Sequence, residues 1–154
     1  LILAWLILSS PWVHLYNRLP DPVGFVVLAH LVLGLAALVL GAGFVLTTAL
    51  QGRLSQYFPW ALARFGPLGR DLLGLLRLKL PSNEGAGLFS IIKGLLLLTL
   101  LATGLTGALW LLNSGTQEAV TWREWHIISA RVLIGLLVAH ILATLIHLLD
   151  FARQ

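Results

Sequence analysis

The sequence predicts an all-α integral membrane protein, a four-helix bundle with a short interfacial helical segment between spans two and three. Two observations carry this. Hydrophobic residues make up 58% of the 154 and charged residues only 10%, against roughly 45–50% and about 25% in soluble proteins. So few charges cannot cover the surface of a soluble fold, so lipid is the main solvent. The charges also leave long gaps, at residues 1–17, 22–52, 94–117 and 132–149. A bilayer core needs about 20 mostly apolar residues to cross as a helix. The chain reads as one transmembrane domain over 1–154.

The first span is expected near 1–19 and ends where Pro20, Asp21 and Pro22 break the chain. The chain opens on Leu1 rather than Met, so the natural N-terminus is expected to be missing or processed. A signal peptide would show a basic start and a small-residue cleavage site, and neither is evident. The second span is expected near 22–50, the third near 88–113 and the fourth near 124–150, where an apolar lead-in from Trp125 extends the charge-free run. Residues 54–80 mix Tyr57, Phe58, Trp60, Leu72, Leu73, Leu75, Leu76 and Leu78 with Arg64, Arg70, Arg77 and Lys79. That mixture suits one or two short helices lying in the membrane interface. Gly41, Gly43, Gly104 and Gly107 are expected at close helix contacts. Trp12, Trp60, Trp110, Trp122 and Trp125 fall near the span ends, where aromatic belts form.

The net charge of +4 comes from basic residues spread around the apolar runs, a topology signal rather than a phosphate-binding patch, so no nucleic-acid partner is expected. Arg53, Arg64, Arg70, Arg77 and Lys79 lie between spans two and three, whereas Arg18 and Arg123 stand alone in the other two loops. The positive-inside rule places the long loop and both termini of this multi-pass protein in the cytoplasm. With no Cys, disulfide scaffolds, zinc fingers, thiolate-bound iron–sulfur clusters and thioether-linked haem are excluded.

All five histidines, His14, His30, His126, His140 and His147, fall in or at the ends of the spans, where polar groups are functional candidates. Neutral imidazole suits a b-type haem held without covalent attachment. His126 and His140 are 14 residues apart, which returns to within about 40° of one helix face and separates them by about 21 Å along it. His147 continues the stripe. Two stacked haems, one near each leaflet, fit that spacing. His30, about eight residues into span two, lies at the level of His126, and the two are expected to clamp the outer haem iron. Gly34 follows one turn later and leaves room for a flat macrocycle. His14 lies at the same level, as an alternative ligand or an interfacial loop residue. His140 would ligate an inner haem, but no second His lies at its depth. The missing ligand is upstream of Leu1 or on another subunit, or that haem is absent. Arg123 is placed to pair with a haem propionate or to anchor at the interface. Arg131, opposite His140, is expected to pair with another helix or snorkel.

Span four, from Glu124 to His147, resembles the last span of bacterial cytochrome b561 and of the membrane gamma subunits of formate dehydrogenases and hydrogenases. Their two haem-ligating histidines 14 residues apart map onto His126 and His140. The His30-x-x-x-Gly34 pattern is similar to the family's second span, and Lys93, Thr103 and Gly104 to its third. Pro81 to Gly85 resembles a loop near the quinone site, with the Lys at a different spacing. Where the family has His-Trp near the start of span one, this chain has Ala4-Trp5. The resemblance implies an outer haem on His30 and His126, an inner haem on His140 if present, quinone near Asn83, Gly85 and Lys93, and His147 near that site or in a proton relay. It implies a membrane b-type cytochrome passing electrons between the quinone pool and an outer redox partner. Such a chain is an electron-transfer subunit of a larger complex rather than a stand-alone enzyme. Two other classes stand beside it: a haem-free structural anchor, and a metal-ion transporter, which would ordinarily add intramembrane carboxylates or thiols that these spans lack.

Overall fold

The structure, a computed structural model, describes residues 1–62, 65–76 and 87–151, the side chains at 62, 75, 146, 147 and 149–151 excepted. Every regular element among them is helical. In chain order these are α1 (Ile2–Ser9), prolonged by a 3-10 turn (Ser10–Trp12); α2 (Phe25–Leu50); two 3-10 turns (Leu54–Gln56 and Pro59–Leu62); α3 (Gly66–Leu76); α4 (Leu88–Leu112); and α5 (Glu118–Phe151). Three helices are long and apolar enough to cross a membrane: α2, α4 and, within α5, Glu118–Leu145.

The first span differs from expectation. Its helix and 3-10 turn end at Trp12 rather than near residue 19 and reach about 18 Å, well short of a core of about 30 Å. Beyond Val13, which leaves helical conformation at φ −94° and ψ 89°, the next carbonyls are engaged elsewhere. Leu15 O accepts from Arg123 Nε at 2.5 Å, Tyr16 O from the Trp110 indole at 2.9 Å, and Asn17 O from Gly115 N–H at 2.6 Å. Leu19 N–H in turn donates to Ser114 Oγ at 3.3 Å. Gly115 makes that approach at φ +93°, a left-handed conformation that glycine adopts without steric cost. The Asp21–Pro22 peptide is cis, and α2 begins three residues later.

The other spans lie close to expectation, α5 starting six residues before residue 124. Helix α2 closes with Gly52 N–H on Ala49 O and Arg53 N–H on Thr48 O, both at 3.0 Å. Gly52 takes φ +67°, so this is a Schellman cap that satisfies the last carbonyls.

Two compact units make up the chain, Leu1–Gly43 with Thr99–Ile134, and Phe44–Leu98 with Gly135–Gln154. In the first, small residues let helices approach. A side-chain carbon at Gly104 would stand 2.8 Å from Leu38 Cβ, and one at Gly41 would stand 3.2 Å from Leu101. Gly43 departs from its expected role, since nothing lies within 4 Å of the corresponding position. Trp110 departs too. It is buried, its indole N–H is spent on Tyr16, and it is not a belt residue. Large apolar side chains on α2, such as Leu28, Val32, Val39 and Leu46, are exposed, as a lipid-facing surface requires.

In the second unit the expected interfacial segment contains α3, whose Leu72, Leu73 and Leu76 are exposed while Asp71 is buried. Asp71 Oδ2 accepts from Leu88 N–H at 2.8 Å, tying α3 to the start of α4. Phe44 meets the Tyr57 ring edge-on at 5.4 Å, and a side chain at Gly94 would collide with the Tyr57 carbonyl and the Trp60 ring.

Candidate functional site

The first unit brings His30 of α2 and His126 of α5 together. Their ring centres are 6.5 Å apart and the rings nearly perpendicular, at 77°. Each ring has one nitrogen engaged. His126 Nδ1 lies 2.9 Å from the Thr103 carbonyl of α4. A carbonyl only accepts, so the proton sits on Nδ1 and Nε2 keeps its lone pair. His30 Nδ1 lies 3.2 Å from Ser9 Oγ of α1, and that hydroxyl donates to Leu6 O at 3.3 Å. With the Ser9 proton on the Leu6 carbonyl, the Ser9 oxygen accepts from His30 Nδ1–H, the arrangement that again leaves Nε2 free. Fixing one imidazole nitrogen in this way is how proteins orient a ring for metal ligation.

Gly107 makes the His126 arrangement sterically feasible. A side-chain carbon there would stand 3.1 Å from His126 Nδ1 and 3.2 Å from Cε1. Its expected role in helix packing is thus replaced by room for a ring. Neither Ser9 nor Gly107 stands out in the sequence as a site residue, although Ser9 is the one hydroxyl in the apolar run of α1.

Both rings line a cavity of about 420 Å³, shared with His14, Gly34, Arg123 and Arg131 among others, a volume within the roughly 300–1,000 Å³ typical of ligand sites. A smaller space of about 130 Å³ shares His30, Gly34, Arg123 and His126 with it. The pair thus borders both spaces. At Gly34 nothing lies within 4 Å of where a side chain would begin. The lining is mostly apolar and holds Arg123 and Arg131 but no Asp or Glu, so it favours an apolar ligand with anionic substituents. Arg123, held on Leu15 O, has its guanidinium 5.9 Å from the Tyr16 ring centre. Arg131 lines the larger cavity and is exposed.

Two imidazoles on opposite sides of one metal, at bond lengths of about 2 Å, hold their ring centres about 6 Å apart. The donor set, the spacing and the cavity therefore fit a bis-histidine haem. His14 is exposed and lines the larger cavity.

The other expected site residues are not brought to this place. His140 belongs to the second unit, where its Nδ1 is buried without a hydrogen-bond partner among the described residues. Thr144 Oγ1 donates to its carbonyl at 2.8 Å. Lys93 is exposed on α4. Asn83, Gly85 and the His147 side chain lie outside the described residues. Among the described residues, no three His, Cys, Asp or Glu cluster as a free-standing metal site.

No curated protein and no solved structure matches the chain. The family model of prokaryotic cytochrome b561 matches residues 1–150, and with three apolar helices long enough to span the chain belongs to that family of multi-pass, haem b-binding membrane cytochromes of electron transfer.

Proposed function

We propose that the chain forms one cytochrome b domain, over 1–154, which moves electrons between the quinone pool and a redox partner at the outer face of the bacterial inner membrane. The observation that carries this reading is the His30–His126 pair, 6.5 Å between ring centres, with each Nδ1 engaged by a neighbouring helix. When bound, haem b supplies reversible one-electron chemistry.

The chain's own residues do the rest. His30 and His126 present Nε2 to the iron. Thr103 and Ser9 hold both rings in the tautomer that ligation needs. Gly34 leaves room for the macrocycle. Arg123, already oriented by Leu15 and Tyr16, pairs with a propionate, because a planar guanidinium matches a carboxylate. His14, exposed at the cavity wall, is not a ligand. His140 serves a second, inner haem whose other ligand comes from outside the described residues or from another subunit.

Topology follows the basic residues. The segment between α2 and α4 and both termini are cytoplasmic, which puts α3 in the cytoplasmic interface. A four-helix bundle completes the domain, with α1 as its short member. Quinone exchanges on the cytoplasmic side with Asn83, Gly85 and Lys93, and His147 serves as a near-site residue or a proton relay. A further subunit at the outer face takes or gives the electron.

The test is a reduced-minus-oxidised spectrum and a pyridine haemochrome assay on protein purified in detergent. We expect b-type absorbance with at least one haem per chain, and its absence would overturn the reading.

A further inference from the structure

The Thr103 carbonyl that fixes His126 does not serve His126 alone. In the α-helical register it also receives Gly107 N–H. The Thr106 hydroxyl lies 3.0 Å from it and 2.8 Å from the Ala102 carbonyl. Ser129 Oγ is farther from that hydroxyl, at 3.5 Å, and donates its own proton to the His126 carbonyl at 3.0 Å. The Thr106 proton is therefore shared between the two carbonyls, and the oxygen that accepts from His126 is partly neutralised.

We propose that the Thr106 hydroxyl sets how much electron density His126 gives to the metal it ligates, and so sets the midpoint potential of the haem in this unit. The inference rests on His30 and His126 being the haem ligands. Thr106 is a positioning residue, acting through Thr103 O and His126 Nδ1–H without touching the ligating nitrogen. Hydrogen-bonded neighbours polarise one another in a low-dielectric interior. A donor from Thr106 drains the carbonyl and weakens its pull on the His126 proton. Without that donor the carbonyl pulls harder, the imidazole becomes a stronger electron donor, and ferric iron is favoured over ferrous.

The experiment is a spectroscopic redox titration of the detergent-purified protein and three variants, Thr106→Val, Thr106→Ala and Thr106→Ser. Removing one hydrogen bond should raise the oxidised-to-reduced ratio at fixed potential about threefold. At about 59 mV per tenfold for one electron, that is a negative shift of about 30 mV. The expected pattern is that Val and Ala shift together while Ser, which keeps the hydroxyl, stays at the parent potential. Wild-type potentials in Val and Ala, a positive shift, a Ser variant that moves with Val, or haem lost from Val and Ala would each overturn the proposal. A parent protein that binds no b-type haem would instead overturn the ligand assignment, before any variant is compared.

Discussion

His126 donates from Nδ1 to the Thr103 carbonyl at 2.9 Å, against a stretch of α4 where Gly107 leaves space for the ring. The two residues lie on different membrane-length helices. The bond therefore fixes the tautomer of a candidate ligand and also sets the rotation of α4 relative to α5 within the first unit. On α2, His30 has the corresponding bond to Ser9, so helices on both sides of the pair hold their rings before any cofactor arrives.

This arrangement predicts which histidines matter. His30→Ala and His126→Ala should each abolish the haem of the first unit, since neither remaining imidazole has a replacement in register. His14→Ala should retain it, because His14 is an exposed wall residue. Pyridine haemochrome content per chain decides the matter. Full haem in His30→Ala, or a loss in His14→Ala equal to that in His126→Ala, would show the pairing to be wrong.

Two glycines near the pair should respond differently. At Gly34 an added methyl meets no protein atom within 4 Å, so Gly34→Ala should fold as the parent does but weaken haem binding by taking the macrocycle's room, and Gly34→Leu should exclude the cofactor. At Gly107 even the first carbon meets the His126 ring. Gly107→Val should displace the ring and weaken haem binding roughly 10–100-fold, as loss of ligand orientation does at metal sites. Haem titration into apoprotein measures both. Equal affinities for Gly107→Val and wild type would remove the glycine from the site.

Ser9→Ala tests the role of α1. The change leaves the His30 Nδ1–H half-buried without its acceptor, a cost of about 1–3 kcal/mol. Haem affinity should fall about thirtyfold at the middle of that range, and Ser9→Thr, which keeps a hydroxyl, should recover most of it. If Ser9→Ala binds haem like the parent, α1 does not hold the ligand.

Much of this is legible in the sequence, and the part that is not has a physical cause. The three long helices are readable because charge-free runs in so apolar a chain have one economical reading, and the His126 position follows from helical period alone. The path of the chain after α1 is not readable, because it is held by Trp110 and Arg123, which bind carbonyls 94 and 108 residues away. The partners of the site histidines are equally remote. Ser9 is 21 residues from His30 and Thr103 is 23 from His126. A backbone carbonyl such as that of Thr103 has no residue-type signature at all. Gly43 and Gly104 look alike in sequence, and only the neighbouring helix separates them.

That contrast is itself testable. Ala at Gly104 would bring its Cβ to 2.8 Å from Leu38 Cβ, an atom fixed to the α2 backbone, so the helices must part. Gly104→Ala should destabilise the protein by about 1–3 kcal/mol through overpacking. Gly43→Ala should be neutral or stabilise by about 0.5–1 kcal/mol, since it relieves helical glycine entropy without a clash. Thermal unfolding in detergent compares the two, and similar losses for both would contradict the packing described.

Asp71 provides the last prediction, in the second unit. Its buried carboxylate accepts from Leu88 N–H at the first turn of α4, where a helix leaves its amides unpaired and favours negative charge. Asp71→Ala should cost about 0.5–2 kcal/mol, as loss of an N-terminal cap does. Asp71→Asn keeps an acceptor and loses the charge, at about 0.3–1 kcal/mol. The effect should be local, because the unit that holds Asp71 contains neither His30 nor His126. Limited proteolysis between α3 and α4 should therefore quicken in the order wild type, Asn, Ala, while the spectrum of the haem held by His30 and His126 stays unchanged. Cleavage at the parent rate in Asp71→Ala would show that the carboxylate does not fasten α3 to α4.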